Sequence, residues 1–99
     1  MYARINTFEG APEGIDASVE HVRTMVLPVA RGIDGFAGLL ALGDRTTGKT
    51  IGITFWRSLE AMHASEQAAD RLRDEVAAAS NERVVSIEQY EVLLDEKGP

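Results

Sequence analysis

With 99 residues, the chain has room for one domain with a modest core, so a partner copy would help it bury apolar surface. A net charge of −6 argues against nucleic acid or anionic lipid as a partner, since both need clustered Lys and Arg. The absence of cysteine excludes disulfides, thiolate catalysis and Cys-based metal sites. No apolar run approaches the ~20 residues of a membrane span, and no basic-apolar leader follows Met1, so a cytoplasmic protein is the expectation.

Residues 2–9 (YARINTFE) alternate and stop at Gly10-Ala11-Pro12, which predicts a first strand. A helix follows from Pro12 to Arg31. Pro12 suits an early helical position because its missing N–H costs nothing there. Ile15, Val19, Val22, Val26, Val29 and Ile33 recur at the spacing of one helix face. Pro28 lies inside this helix, cannot donate to the Thr24 carbonyl, and is expected to kink the last turn. Residues 35–43 (GFAGLLALG) predict a second strand, residues 44–48 (DRTTG) a hairpin loop, and residues 49–56 (KTIGITFW) a third strand. Ser58 is placed to cap a second helix that runs to about Ala79, with Glu60 in its first turn. Its buried stripe is Met62, Ser65, Ala69, Leu72 and Val76. Residues 83–94 (RVVSIEQYEVLL) predict the fourth strand, and residues 95–99 a loose tail.

The order β-α-β-β-α-β predicts an α+β, ferredoxin-like fold over residues 1–94, with an antiparallel sheet and two helices on one face. Strands one and three are expected at the centre, running parallel, with strand two beside three and strand four beside one. That direction would put Trp56 at the same end as Phe8. Strands two and three are apolar on both faces. The helices cover only one face, so the other is expected to meet the sheet of a second copy.

Tyr2, Arg4, Asn6 and Phe8 share one face of the first strand. Arg4 and Asn6 on a central strand need polar partners, and Glu88 of the fourth strand is the expected partner of Arg4. Two readings stand side by side: a structural ion pair beside a satisfied Asn, or the polar corner of an apolar pocket. Gly52, mid-strand, leaves space for such a pocket, and Gly38 marks a second place where a bulge would fit. Trp56 is either a core anchor or a site residue, and its indole N–H needs an acceptor in both cases. His63 falls on the outer side of the second helix with Glu66, Asp70 and Asp74, so it reads as solvated. Asp70, Asp74 and Glu75 read as a solvated helix face, and Arg71 and Arg73 are placed to pair with them. No phosphate loop, Ser-His-Asp set or metal-ligand spacing occurs.

The run TFWRSLEAMHAS and the closing strand SIEQYEVLLD resemble the antibiotic biosynthesis monooxygenase domains of the dimeric α+β barrel superfamily. The resemblance covers nearly the whole chain. Its clearest part is Trp56, Ser58 and the Glu60-Ala61 pair. It implies a homodimer closed sheet to sheet, and a small apolar aromatic or polyketide-like ligand. Some members of the family are cofactor-free oxygenases and others degrade haem. The catalytic Asn of the quinone-forming members falls at Gly52 and their catalytic Tyr at Met62, while Trp56 matches. The first-strand Asn of the haem-degrading members is matched by Asn6. Their catalytic Trp falls at Ser65 and their haem-ligating His near Asp74.

The resemblance and the residues together give an expected site. Asn6 and Trp56 are its catalytic candidates, and Arg4, Gly52 and Tyr90 its substrate-binding ones, with no metal and no cofactor. The expected activity is a cofactor-independent monooxygenase-like one. The alternative is a non-catalytic ligand-binding or stress-related dimer of the same fold. Haem oxygenation is not expected.

Overall fold

The computed structural model describes residues 1–99. The element order is β1 (Tyr2–Glu9), α1 (Ile15–His21), a π-wound turn (Val22–Val26), α2 (Leu27–Arg31), β2 (Phe36–Gly43), β3 (Lys49–Trp56), α3 (Leu59–Ala64), α4 (Glu66–Ala79) and β4 (Arg83–Glu91). The sheet order is β2-β3-β1-β4, and every neighbouring pair is antiparallel. The expected βαββαβ architecture is therefore present. The parallel pairing of strands one and three is not: a helical crossover carries β1 to β2 in the same direction, and the hairpin then reverses β3. Trp56 consequently lies opposite Tyr2, at the far end from Phe8, which faces Thr50.

Alternation assigns the two sheet faces. Phe8 of β1 meets Val26 of the π turn and Leu72 and Val76 of α4, with Leu39 and Val84 packed at the margin. Both helical layers thus cover the Phe8 face. Arg4, Asn6, Gly52, Thr54 and Trp56 lie on the same side. Burying Phe8 alone contributes roughly 1.5–3 kcal/mol. The opposite face carries Ile5, Ile51, Ile53 and Phe55 with Leu40 and Leu42, and both leucines are 47% exposed. No element of the chain covers it.

Where the elements depart from sequence expectation, the cause is local. Pro28 sits at the start of α2, and the chain ahead of it winds wider, with the Leu27 N–H bonded to the Val22 carbonyl. The extra residue in that turn shifts the helical phase, so Ala30 is buried and Val29 is 45% exposed. The second helix breaks at Ser65. Both Arg4 and the Ser65 hydroxyl bond to the Met62 carbonyl there, a side-chain insertion of the kind that kinks helices. Strand β4 stops at Glu91 because that residue already faces Tyr2, where β1 begins. Ala37 forms a bulge in β2, between the paired residues Phe36 and Gly38. The hairpin loop forms as expected, and Gly48 holds φ +85° where a Cβ would strike the Gly10 carbonyl.

Candidate functional site

The site grows from β1. Arg4, at 1% exposure, is among the most buried residues of the chain. Its Nη1 donates to Ser65 Oγ at 3.1 Å and its Nη2 to the Met62 carbonyl at 2.7 Å. Its guanidinium also stands 5.7 Å from the centre of the Trp56 ring, a cation–π distance. No carboxylate lies within ion-pair distance of it. Burial, and then the nearby Arg73, pull its pKa down, while Glu66 and Asp70 act in the other direction. An arginine keeps its charge through such a shift. Glu88, the expected partner, is on the other side of the sheet: Gln89 is the residue opposite Arg4, and Glu88 accepts instead from the Tyr90 hydroxyl at 2.6 Å.

Asn6, two residues along the same face, lies opposite Gly52. Arg73 of α4 donates its Nε–H to Asn6 Oδ1 at 2.9 Å and its Nη1 to Asp70 at 2.7 Å. A guanidinium has no acceptor, so this bond decides the orientation of the amide: the oxygen faces Arg73, and the Nδ2 hydrogens are left to donate elsewhere. A Cβ built on Gly52 would meet nothing within 4 Å. Glycine at this position leaves open space directly beside Asn6.

That space belongs to a cavity of ≈ 90 Å³ between helices and sheet, with 12 of its 18 lining residues hydrophobic. Its apolar walls include Phe8, Val22, Val26, Leu72 and Val76, so the π turn forms part of one wall. Its polar groups are Arg4, Asn6, Thr54, Ser65 and Arg73, with the Trp56 indole beside them. The indole N–H donates to Thr54 Oγ1 at 3.0 Å, which leaves the Thr54 hydroxyl proton as a donor. Trp56 is 2% exposed and stacks edge-on against Phe36 at 5.7 Å.

Four of the five expected site residues, Arg4, Asn6, Gly52 and Trp56, therefore line one cavity. Tyr90 does not. It is paired with Ala3 on the uncovered face and is 53% exposed. Arg73, read from the sequence as part of a solvated helix face, is 7% exposed and reaches the cavity. The signal for it was its place among Ala69, Leu72 and Val76, three and four residues apart along one face. His63 is exposed, as expected, and lines no part of the cavity. No cluster of three or more His, Cys, Asp or Glu side chains is placed to hold a metal ion.

The sequence profile of antibiotic biosynthesis monooxygenases matches residues 1–73. The chain belongs to that family. An uncharacterised Mycobacterium tuberculosis (strain H37Rv) protein, Rv2557, is 40% identical to this antibiotic biosynthesis monooxygenase domain over 77 residues, 78% of this chain and 34% of that protein. The chain thus spans about a third of the length of such relatives. Among solved structures, the Streptomyces coelicolor monooxygenase ActVA-Orf6, in complex with nanaomycin D, superposes with a TM-score of 0.71 at 14% identity, covering 99% of this chain and 91% of that one. A variant of MhuD with two manganese protoporphyrin IX molecules bound per active site superposes with a TM-score of 0.65 at 23% identity, covering 99% and 100%. Both likenesses are of fold.

Haem does not fit the cavity of this chain. Its lining holds no His, Cys, Tyr or Met to ligate iron. Asp74, where the resemblance places the iron ligand, is exposed.

Proposed function

We propose that this chain binds a small aromatic, polyketide-like molecule in the helix–sheet cavity and oxygenates it with O2, without metal or flavin. The observation that carries this reading is the convergence of Asn6, Arg4 and Trp56 on open space beside Gly52. A substrate whose CH2 group sits next to a phenol or ketone loses a proton to give a stabilised carbanion. The carbanion delivers electrons to O2, and a carbon–oxygen bond forms as a hydroperoxide. Loss of water leaves a carbonyl. The balance is CH2 plus O2 to C=O plus H2O, with the carbon giving up the four electrons that O2 accepts. Hydrogen-bond donors aimed at the substrate oxygen stabilise the negative charge that develops there. Asn6 Nδ2 and Arg4 are those donors, and Trp56 with the aliphatic walls excludes water.

The cavity admits a monocyclic ligand only by widening from ≈ 90 Å³ toward the ~150 Å³ that holds a benzene, and a fused-ring one only when its walls part. The π-wound stretch Val22–Val26 is the irregular wall segment. The active unit is proposed as a homodimer in which the uncovered sheet faces close on each other, burying Leu40 and Leu42.

The experiment is oxygen uptake with an anthrone-like substrate. One O2 consumed per carbonyl formed is the expected result, and Asn6→Ala should slow it by about 10²-fold, the effect of losing one oxyanion donor. A second reading, ligand binding without catalysis, is favoured by a specific feature. No carboxylate or imidazole lines the cavity, so the protein offers no general base to take the proton. Binding without oxygen uptake above the spontaneous rate would make that second reading the correct one.

A further inference from the structure

Donor groups dominate the hydrogen bonding that this cavity can offer a ligand. Arg4 carries five N–H groups and spends two on Ser65 and Met62. Arg73 turns Asn6 so that its oxygen is used and its NH2 is free. Trp56 uses one lone pair of the Thr54 oxygen and leaves its proton free. Ser65 donates to Met62 and accepts from Arg4, so its proton is committed. In a chain of net charge −6, the only charged residues lining the cavity are two arginines. Arg73 has its carboxylate in Asp70, whereas Arg4 bonds only to neutral acceptors. A buried cation without an anionic partner is costly, and the Trp56 face and the end of the short α3 offset only part of that.

We propose that the cavity takes an anionic ligand, a small aromatic or alicyclic carboxylate. Its ring lies among Phe8, Val26 and Leu72, and its carboxylate accepts from Arg4 and from the Asn6 side-chain amide. The two donors stand two residues apart on one strand face, and both line the cavity. Arg73 is a positioning residue in this arrangement, since it acts through Asn6. The proposal rests on the helix–sheet cavity being the ligand site. It goes with the ligand-binding reading, because a carboxylate held by Arg4 and Asn6 takes the donors that the oxygenase reading aims at the substrate oxygen. A site built of donors discriminates strongly against an analogue that puts N–H groups where it expects lone pairs.

The test compares near-isosteric pairs at pH 7: benzoate against benzamide, and 2-naphthoate against 2-naphthamide. Binding is followed through the indole N–H resonance of Trp56, the single tryptophan, which borders the cavity. Each carboxylate should bind at least about tenfold more tightly than its amide, the effect of one charge-assisted bond. Arg4→Met should abolish that preference and Asn6→Ala should reduce it. If Arg4→Met does not fold, Arg4→Lys should keep the preference for carboxylates while Asn6→Ala still weakens it. Equal binding of acid and amide would overturn the proposal and leave the aromatic cavity reading standing. A preference that survives both Arg4→Met and Asn6→Ala would also overturn it. Failure of all four probes to bind would overturn the proposal together with the reading beneath it.

Discussion

Arg73 Nε donates to Asn6 Oδ1 at 2.9 Å, joining a helix residue to a central-strand residue 67 positions away in sequence. The bond converts a freely flipping amide into one with a fixed polarity. Arg73→Leu removes it while leaving an apolar side chain at a buried position. The variant should be less stable than the parent by about 1.5–3 kcal/mol, the range for a hydrogen bond to a charged group. The Asp70 pair adds little to that, because the Asp70 side chain is 68% exposed. Urea unfolding gives the stability, and the Asn6 NH2 resonances should shift and exchange faster with solvent. Unchanged stability and unchanged Asn6 resonances would show that the bond fixes nothing.

Arg4 sets up a sharper contrast. Its two hydrogen bonds stabilise the break between α3 and α4, but its burial without a carboxylate works against stability. Arg4→Met keeps most of the volume and removes the charge. That variant should stay within about 1 kcal/mol of the parent, as buried charges replaced by fitting apolar groups often do. Arg4→Ala leaves a hole and should cost about 2–4 kcal/mol. Thermal unfolding of the two variants decides. A loss of more than about 3 kcal/mol in Arg4→Met would identify Arg4 as chiefly a structural tie.

The fold was legible because its signals are periodic. Alternation in residues 2–9 and 49–56 marks strands, and the stripe Met62, Ser65, Leu72, Val76 marks the helix face that avoids water. Strand direction was harder. Trp56 and Phe8 carry no mark of which end of the sheet they occupy, and only the crossover and hairpin together determine it. Within the site, Arg4, Asn6, Gly52 and Trp56 were legible because polar or small residues on central strands demand an account. Tyr90 was misplaced because its strand partner is Ala3, on the uncovered face, a register that alternation alone does not provide. Arg73 was missed because its neighbours Asp70, Asp74 and Glu75 offered an adequate surface explanation. Helical phase argued otherwise, since Arg73 follows Ala69 by four residues and precedes Val76 by three.

The uncovered sheet face gives a prediction about assembly. Leu40 and Leu42 are each 47% exposed, and they adjoin Ile51, Ile53 and Phe55 on neighbouring β3. A contiguous apolar face of this kind calls for a partner surface. Light scattering coupled to size exclusion should return twice the 10.8 kDa chain mass at micromolar concentration. Leu42→Lys should shift the species to a monomer, because pairing two such faces would bury an uncompensated charge from each copy. A monomeric parent protein would reject the sheet-to-sheet dimer.

The β2–β3 turn offers a test of pH dependence. Asp44 Oδ1 accepts from the Thr46 N–H at 2.8 Å and from the Thr47 N–H at 3.2 Å. These bonds favour the ionised carboxylate, and the Thr46 bond is the largest cause holding the Asp44 pKa below its ordinary value. The unfolded chain keeps a value near ~3.9. The folded value is the lower one, so the contribution of the turn to stability is present above the unfolded value. It is lost as pH falls through the folded one. In an acid titration followed by NMR, the Thr46 and Thr47 amide resonances should move together, with a midpoint below that of an unstructured aspartate. Asp44→Asn keeps an acceptor oxygen and removes the titrating group, so those two amides should lose this transition. A midpoint at or above the ordinary aspartate range would show that the two amides do not hold the charge.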